Sequence, residues 1–180
     1  MAVQVAVCGP GECTQREWDL AYETGRLLAG RGAVVLCGGL GGVMAAAAAG
    51  AQAGGGTAVG VLPAADRAAA GPDLTVAVPT GLGQARNSVL VNAADALIAV
   101  GGSWGTLSEI ALAMRGGRIP VVQVGGWRVH DEEGRPAGGI VHAADPAAAV
   151  TATGLWDQPS VAPPRVSGRR SRRPRRSTGR

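Results

Sequence analysis

The chain of 180 residues contains no lysine, and all 17 of its basic residues are arginine. Schiff-base chemistry with pyridoxal phosphate needs a lysine amine, and a Walker A loop needs Gly-Lys-Ser/Thr, so composition excludes both. Cysteine is scarce as well. Cys8, Cys13 and Cys37 are too few and too irregular for a disulfide framework, and His130 and His142 lie too far along the chain to complete a metal-ligand spacing. Cys8 and Cys37 read as buried thiols at neighbouring strand ends. No charged segment followed by a long apolar run opens the chain, so the expectation is a reduced, cytoplasmic protein without membrane association.

Charge is unevenly spread. Eight of the basic residues fall in 161–180, whereas 1–160 hold nine basic and all 13 acidic ones. The body is therefore near −4 and the tail near +8, which argues against a basic nucleic-acid groove on the folded part. Weak, sequence-independent polyanion binding is left to the arginine pairs of the tail. From about residue 157, Pro, Ser, Gly and Arg dominate, so one domain over 1–156 and a disordered arginine-rich tail over 157–180 are expected.

Within 1–156, short apolar runs at 3–8, 33–37, 57–62, 74–78, 96–100 and 119–124 alternate with helical patterns at 15–28, 42–53, 85–94 and 107–114. Near-continuously apolar strands alternating with helices predict an α/β protein with a doubly wound, Rossmann-like parallel sheet in three layers. Asp145-Pro146 places an N-cap before a helical proline, predicting a closing helix over 146–153. Between Val124 and that helix, Gly125-Gly-Trp-Arg and Asp131-Glu-Glu-Gly134 read as loop and turn.

Three glycine-rich loops each follow a strand and precede a helix: Gly9 and Gly11, then Gly38, Gly39, Gly41 and Gly42, then Gly101, Gly102 and Gly105. Such loops let backbone approach a phosphate at a helix N-terminus, at the carboxyl ends of parallel strands. The NAD fingerprint is broken, since Thr14 and Met44 stand where third glycines belong and the second strand ends in Cys37-Gly38 without an acidic residue. In the third loop Ser103 and Thr106 are placed to cap the helix or contact an anion, and Trp104 offers an indole for stacking or burial. Glu109 reads either as a capping-box carboxylate or as a functional acid. Arg86, in the first turn of the preceding helix and followed by Asn87, opposes the helix dipole and so needs a phosphate or carboxylate partner, unless it is merely solvated.

The run Arg86-Asn87 followed by Gly101-Gly102-Ser-Trp-Gly105-Thr106-Leu-Ser-Glu109 resembles the Rossmann-like superfamily of cytokinin-activating nucleotide phosphoribohydrolases, often mislabelled lysine decarboxylases, and molybdenum-cofactor carrier proteins. The resemblance covers about residues 3–124. It implies that Gly101, Gly102, Gly105 and Thr106 hold a phosphate, with Arg86 and Glu109 acting at the ribose and the N-glycosidic bond. Val100 replaces the hydrolases' proline and Asn87 their second basic residue, and the chain after Val124 is short. These departures place it nearer the carrier-like branch. The resemblance thus implies a homodimer that binds a phosphorylated small molecule, a nucleotide or a molybdopterin-type ligand, and requires no cofactor for chemistry. The alternative is a nucleoside 5′-monophosphate phosphoribohydrolase releasing base and ribose 5-phosphate.

Overall fold

Seven strands form one fully parallel sheet in the computed structural model, which describes residues 1–156. In chain order the elements are β1 (Gln4–Cys8), α1 (Gln15–Gly30), β2 (Val34–Cys37), α2 (Val43–Ala53), β3 (Thr57–Leu62), β4 (Val76–Pro79), α3 (Arg86–Ala93), β5 (Ala96–Val100), α4 (Trp104–Gly116), β6 (Val121–Val124), β7 (Ile140–Ala143) and α5 (Pro146–Ala152). The spatial order is β4-β3-β2-β1-β5-β6-β7. Winding runs outward from β1 to β4, then returns to β5 and proceeds the other way, so β1 and β5 are neighbours from which the two halves diverge. Ligand crevices form at such a point in open α/β sheets.

Alternation along the strands sends side chains to two cores. Val5, Val7, Val35, Ile98 and Val100 face α1, α2 and α5, where they meet Leu28, Ala47 and Val150. Ala6, Cys8, Leu36, Leu97 and Ala99 face α3 and α4, meeting Leu90, Val91 and Ile110. The result is three layers, and β5, covered on both sides, is buried along its whole length. Two glycines set the α1–α2 crossing: a β-carbon on Gly25 would strike the Ala47 carbonyl oxygen, and one on Gly50 the Tyr22 carbonyl oxygen. Tyr22 and Trp18 pack against this core, as their four-residue spacing implies. Arg31 lies over the Trp156 ring, 5.1 Å from its centroid.

Two elements differ from the sequence reading. β7 is absent from the sequence reading: it lies beyond the 125–128 and 131–134 segments read as loop and turn, and it pairs with β6 from Val121↔Ile140 to Val124↔Ala143. It is a four-residue edge strand with mixed exposure, so it lacks the apolar run that marks the inner strands. β4 begins at Val76 rather than Leu74, because Leu74 instead packs over Gly60 of β3. The closing helix is present, with Asp145 Oδ1 accepting from Ala148 N at 2.8 Å. No helix among the described residues is long and apolar enough to cross a membrane. The expected tail at 157–180 lies outside the described residues.

Candidate functional site

The three glycine loops lie together at the carboxyl ends of β1, β2 and β5, but their helices are differently prepared. At the first, Thr14 and Glu17 form a complete capping box on α1: Thr14 N donates to Glu17 Oε2 at 2.9 Å and Glu17 N to Thr14 Oγ1 at 3.3 Å. The first turn of α1 is thus already supplied with a carboxylate. Gly9 serves close packing, since a β-carbon there would stand 2.5 Å from both the Val100 carbonyl oxygen and Val43 Cγ1.

The second loop is different. Gly42, the N-cap of α2, has φ +59° and provides no side-chain cap, and a β-carbon on it would meet the carbonyl oxygens of Pro10 and Gly11. Gly39, at φ +75°, packs against Leu62 and Gly60, and Gly41 lies against the carbonyl of Gly11. Val43 N donates to Pro10 O at 3.0 Å, and no side chain caps the α2 terminus.

At the third loop Ser103 caps α4, its Oγ accepting from Thr106 N at 3.2 Å and lying 2.9 Å from Thr106 Oγ1. Gly101 faces the Glu17 carboxylate and Gly102 faces Trp127, while Gly105 is open. The loop is further held by Gln123, a buried side chain whose Nε2 reaches toward Gly101 O at 3.5 Å.

This geometry removes the capping-box reading of Glu109. With Ser103 as N-cap, the capping-box position belongs to Thr106, and Glu109 lies a further turn inside α4. Its carboxylate instead accepts from Arg86 Nη1 at 3.1 Å, and both residues are buried, at 5% and 6% exposure. Arg86 is therefore not a solvated arginine. Its guanidinium lies so close to the backbone at the end of β2 that a β-carbon on Gly38 would come within 2.5 Å of Nη2. Two polar atoms here are buried without a hydrogen-bond partner among the described residues, Arg86 Nε and Asn87 Oδ1. The Asn87 amide nitrogen donates to Ser108 Oγ at 2.9 Å.

Burial raises the Glu109 carboxyl, with the Arg86 charge and a Cys8 hydrogen bond opposing. The Cys8 thiol is driven well up, first by burial and then by the charge of Glu109. Burial pushes Cys37 up to about 11. Neither thiol is a nucleophile near neutrality.

Trp104, at the first position of α4, is 78% exposed and meets Trp127 edge to face, with ring centroids 5.0 Å apart and planes at 81°. On the other side of the third loop, Thr14, Arg16, Glu17, Gly101, Gly125 and Gly126 line a cleft of about 260 Å³.

The residues singled out in sequence thus form two groups. Gly38, Arg86, Glu109 and Asn87 gather with Cys8 between β2 and α4, beside the Gly39, Gly41 and Gly42 loop. Gly101, Gly102, Ser103, Trp104 and Thr106 gather with Trp127, Gln123 and Glu17. Sequence reasoning missed Ser108, Gln123 and Glu17 as participants. Of these, only Glu17 left a signal, as the fourth residue of a Thr14-x-x-Glu17 capping box.

Comparison with known proteins adds a family and a set of neighbours. The model of the SLOG cluster4 family matches residues 2–150. An uncharacterized protein of Archaeoglobus fulgidus is 43% identical over 134 residues, 72% of this chain and 88% of that protein. The molybdenum cofactor binding protein of the phototrophic bacterium Rippkaea orientalis is 32% identical with a TM-score of 0.75, over 84% of this chain and 94% of its own. The molybdenum cofactor carrier protein of Chlamydomonas reinhardtii is 33% identical with a TM-score of 0.73, over 86% and 97%.

Proposed function

This chain belongs to the SLOG cluster4 family, and from that membership we propose that it binds a phosphorylated, nucleotide-like cofactor at the carboxyl ends of its strands and carries it without turning it over. The similarity to proteins that bind or carry the molybdenum cofactor supports a molybdopterin-type cargo. The observation that carries the reading is the Arg86 guanidinium, held beneath the glycine loops with Nε unpartnered. A buried donor without an acceptor costs free energy, so an oxyanion that reached Nε as the loops above it part would offset that cost. The N-terminus of α2, without a side-chain cap, supplies amides for the same anion. Among the described residues no three His, Cys, Asp or Glu side chains gather as metal ligands, so this reading places recognition on the phosphate and the ring. A homodimer in the cytoplasm completes the proposal.

The second reading, a phosphoribohydrolase, draws on Glu109 beside Arg86. A carboxylate so placed would steady an oxocarbenium-like state and orient water. Against it, Glu109 is already committed to Arg86 and raised by burial, so much of its charge is spent inside the protein.

Incubation of the pure protein with a panel of nucleoside 5′-monophosphates separates the two. The carrier reading expects ligand-dependent thermal stabilisation by a molybdopterin or nucleotide, with no ribose 5-phosphate formed. Release of base and ribose 5-phosphate at catalytic turnover would overturn it and establish the hydrolase. Absence of both stabilisation and release would remove the phosphate-ligand assignment altogether.

A further inference from the structure

We infer that Trp104 and Trp127 form a stacking subsite for the flat heteroaromatic end of the ligand, a purine or pterin ring whose phosphate lies at the glycine loops; this rests on the phosphate-binding reading above. Indole surface is normally withdrawn from water, yet Trp104 stands 78% exposed on a rigid element, the first turn of α4. Nothing in the capping of that helix calls for an indole, because Ser103 and Thr106 perform it.

The pair is also braced. Gly102 admits Trp127 so closely that a β-carbon would stand 2.8 Å from the Trp127 amide nitrogen and 2.9 Å from its ring. Gly126, at φ +77°, packs against the carbonyl of Gly101, where no side chain would fit. These two contacts tie the loop after β6 to the loop after β5 and fix the angle of the second ring against the first. In an edge-to-face pair the ring offering its edge keeps both faces clear of its partner. Trp127 lays its ring against Gly102, whereas Trp104, the more exposed of the two, keeps ring surface open to solvent at the start of α4, where a planar ring whose phosphate lies at the third glycine loop would stack. Stacking of this kind accepts any base or pterin, since each has a π face, and it supplies the ring recognition that the glycine loops lack.

Calorimetric titration of the full chain with guanosine 5′-monophosphate and, separately, with ribose 5-phosphate tests the subsite. Wild-type protein is expected to bind the nucleotide more tightly than the sugar phosphate. Trp104→Ala is expected to weaken the nucleotide by about tenfold or more while leaving ribose 5-phosphate within twofold, and Trp104→Tyr to restore most of the difference. Equal weakening of both ligands, no weakening of either, or no preference for the nucleotide in the wild type would overturn the inference while leaving phosphate binding intact. A Trp104→Ala effect confined to sedimentation mass would overturn it too, assigning the indole to contact between copies. Failure of wild-type protein to bind either ligand would bring down the functional reading itself, and the subsite with it.

Discussion

Replacing Arg86 by Met removes the cation from the buried pair together with the guanidinium packed beside Gly38, while keeping most of the aliphatic stem. What remains is a carboxyl at 5% exposure with no cation opposite it. Such a group escapes its desolvation cost by taking a proton. Holding a carboxyl with an ordinary value of about 4.3 protonated at pH 7 costs about 1.4 kcal/mol per pH unit, so the penalty has a ceiling of about 4 kcal/mol. The sign follows from direction. The folded Glu109 carboxyl is already raised, and losing Arg86 raises it further, so the penalty is small near the ordinary carboxylate range and grows as pH climbs through the raised value. Urea unfolding at pH 4.5 and pH 7, followed by tryptophan fluorescence, is expected to show Arg86→Met about 2–4 kcal/mol less stable at neutrality and within about 1 kcal/mol of wild type at pH 4.5. The double variant Arg86→Met with Glu109→Gln is expected to lose that pH dependence. An equal loss at both pH values would refute the electrostatic argument and assign the effect to packing.

The remaining expectations concern the scaffold. Gly50→Ala gains about 1 kcal/mol of helix propensity but drives a methyl into the Tyr22 carbonyl; a net loss of about 1–3 kcal/mol in chemical denaturation is expected, and a stabilised variant would mean that α1 and α2 can part freely. Asp145→Ala removes the acceptor for Ala148 N and should cost about 1 kcal/mol, measurable as a lower urea midpoint. With a thiol-specific chromogenic reagent at pH 8, Cys13 should react first, because Cys8 and Cys37 are buried and raised; early labelling of Cys8 would show that the Glu109 pocket opens to solvent.

The sheet was legible because its inner strands are apolar on both faces and its helices follow them at regular intervals. β7 was not, since an edge strand covered on one side carries polar and apolar residues in a mixture that also suits a loop. At the site, the sequence marked Arg86 and Glu109 as residues needing an explanation, but left open what each was for. The decision lay in the position of one cap: once Ser103 begins α4, Glu109 is too deep to cap and meets Arg86 across the gap between two helices. Trp104 was equally undecided. Burial and exposure of an indole at a helix start depend on what the loop after β6 does, and its path is set by Gly125 and Gly126 at positive φ, which composition marks only as a turn.

The capping box on α1 has a consequence for the direction from which a ligand can approach. Glu17 neutralises the positive end of α1 and turns its carboxylate toward Gly101, while the positive end of α2 stays open beside Gly42. The two helix ends therefore differ: the first turn of α1 carries Glu17 beside Arg16, and that of α2 carries no acidic residue and no side-chain cap. If the proposed ligand, charged at one end and flat at the other, binds here, that difference would favour one orientation of its approach. Under the proposed function, the chain's own glutamate would work as a compass, setting a ligand's heading with a group that never needs to touch it.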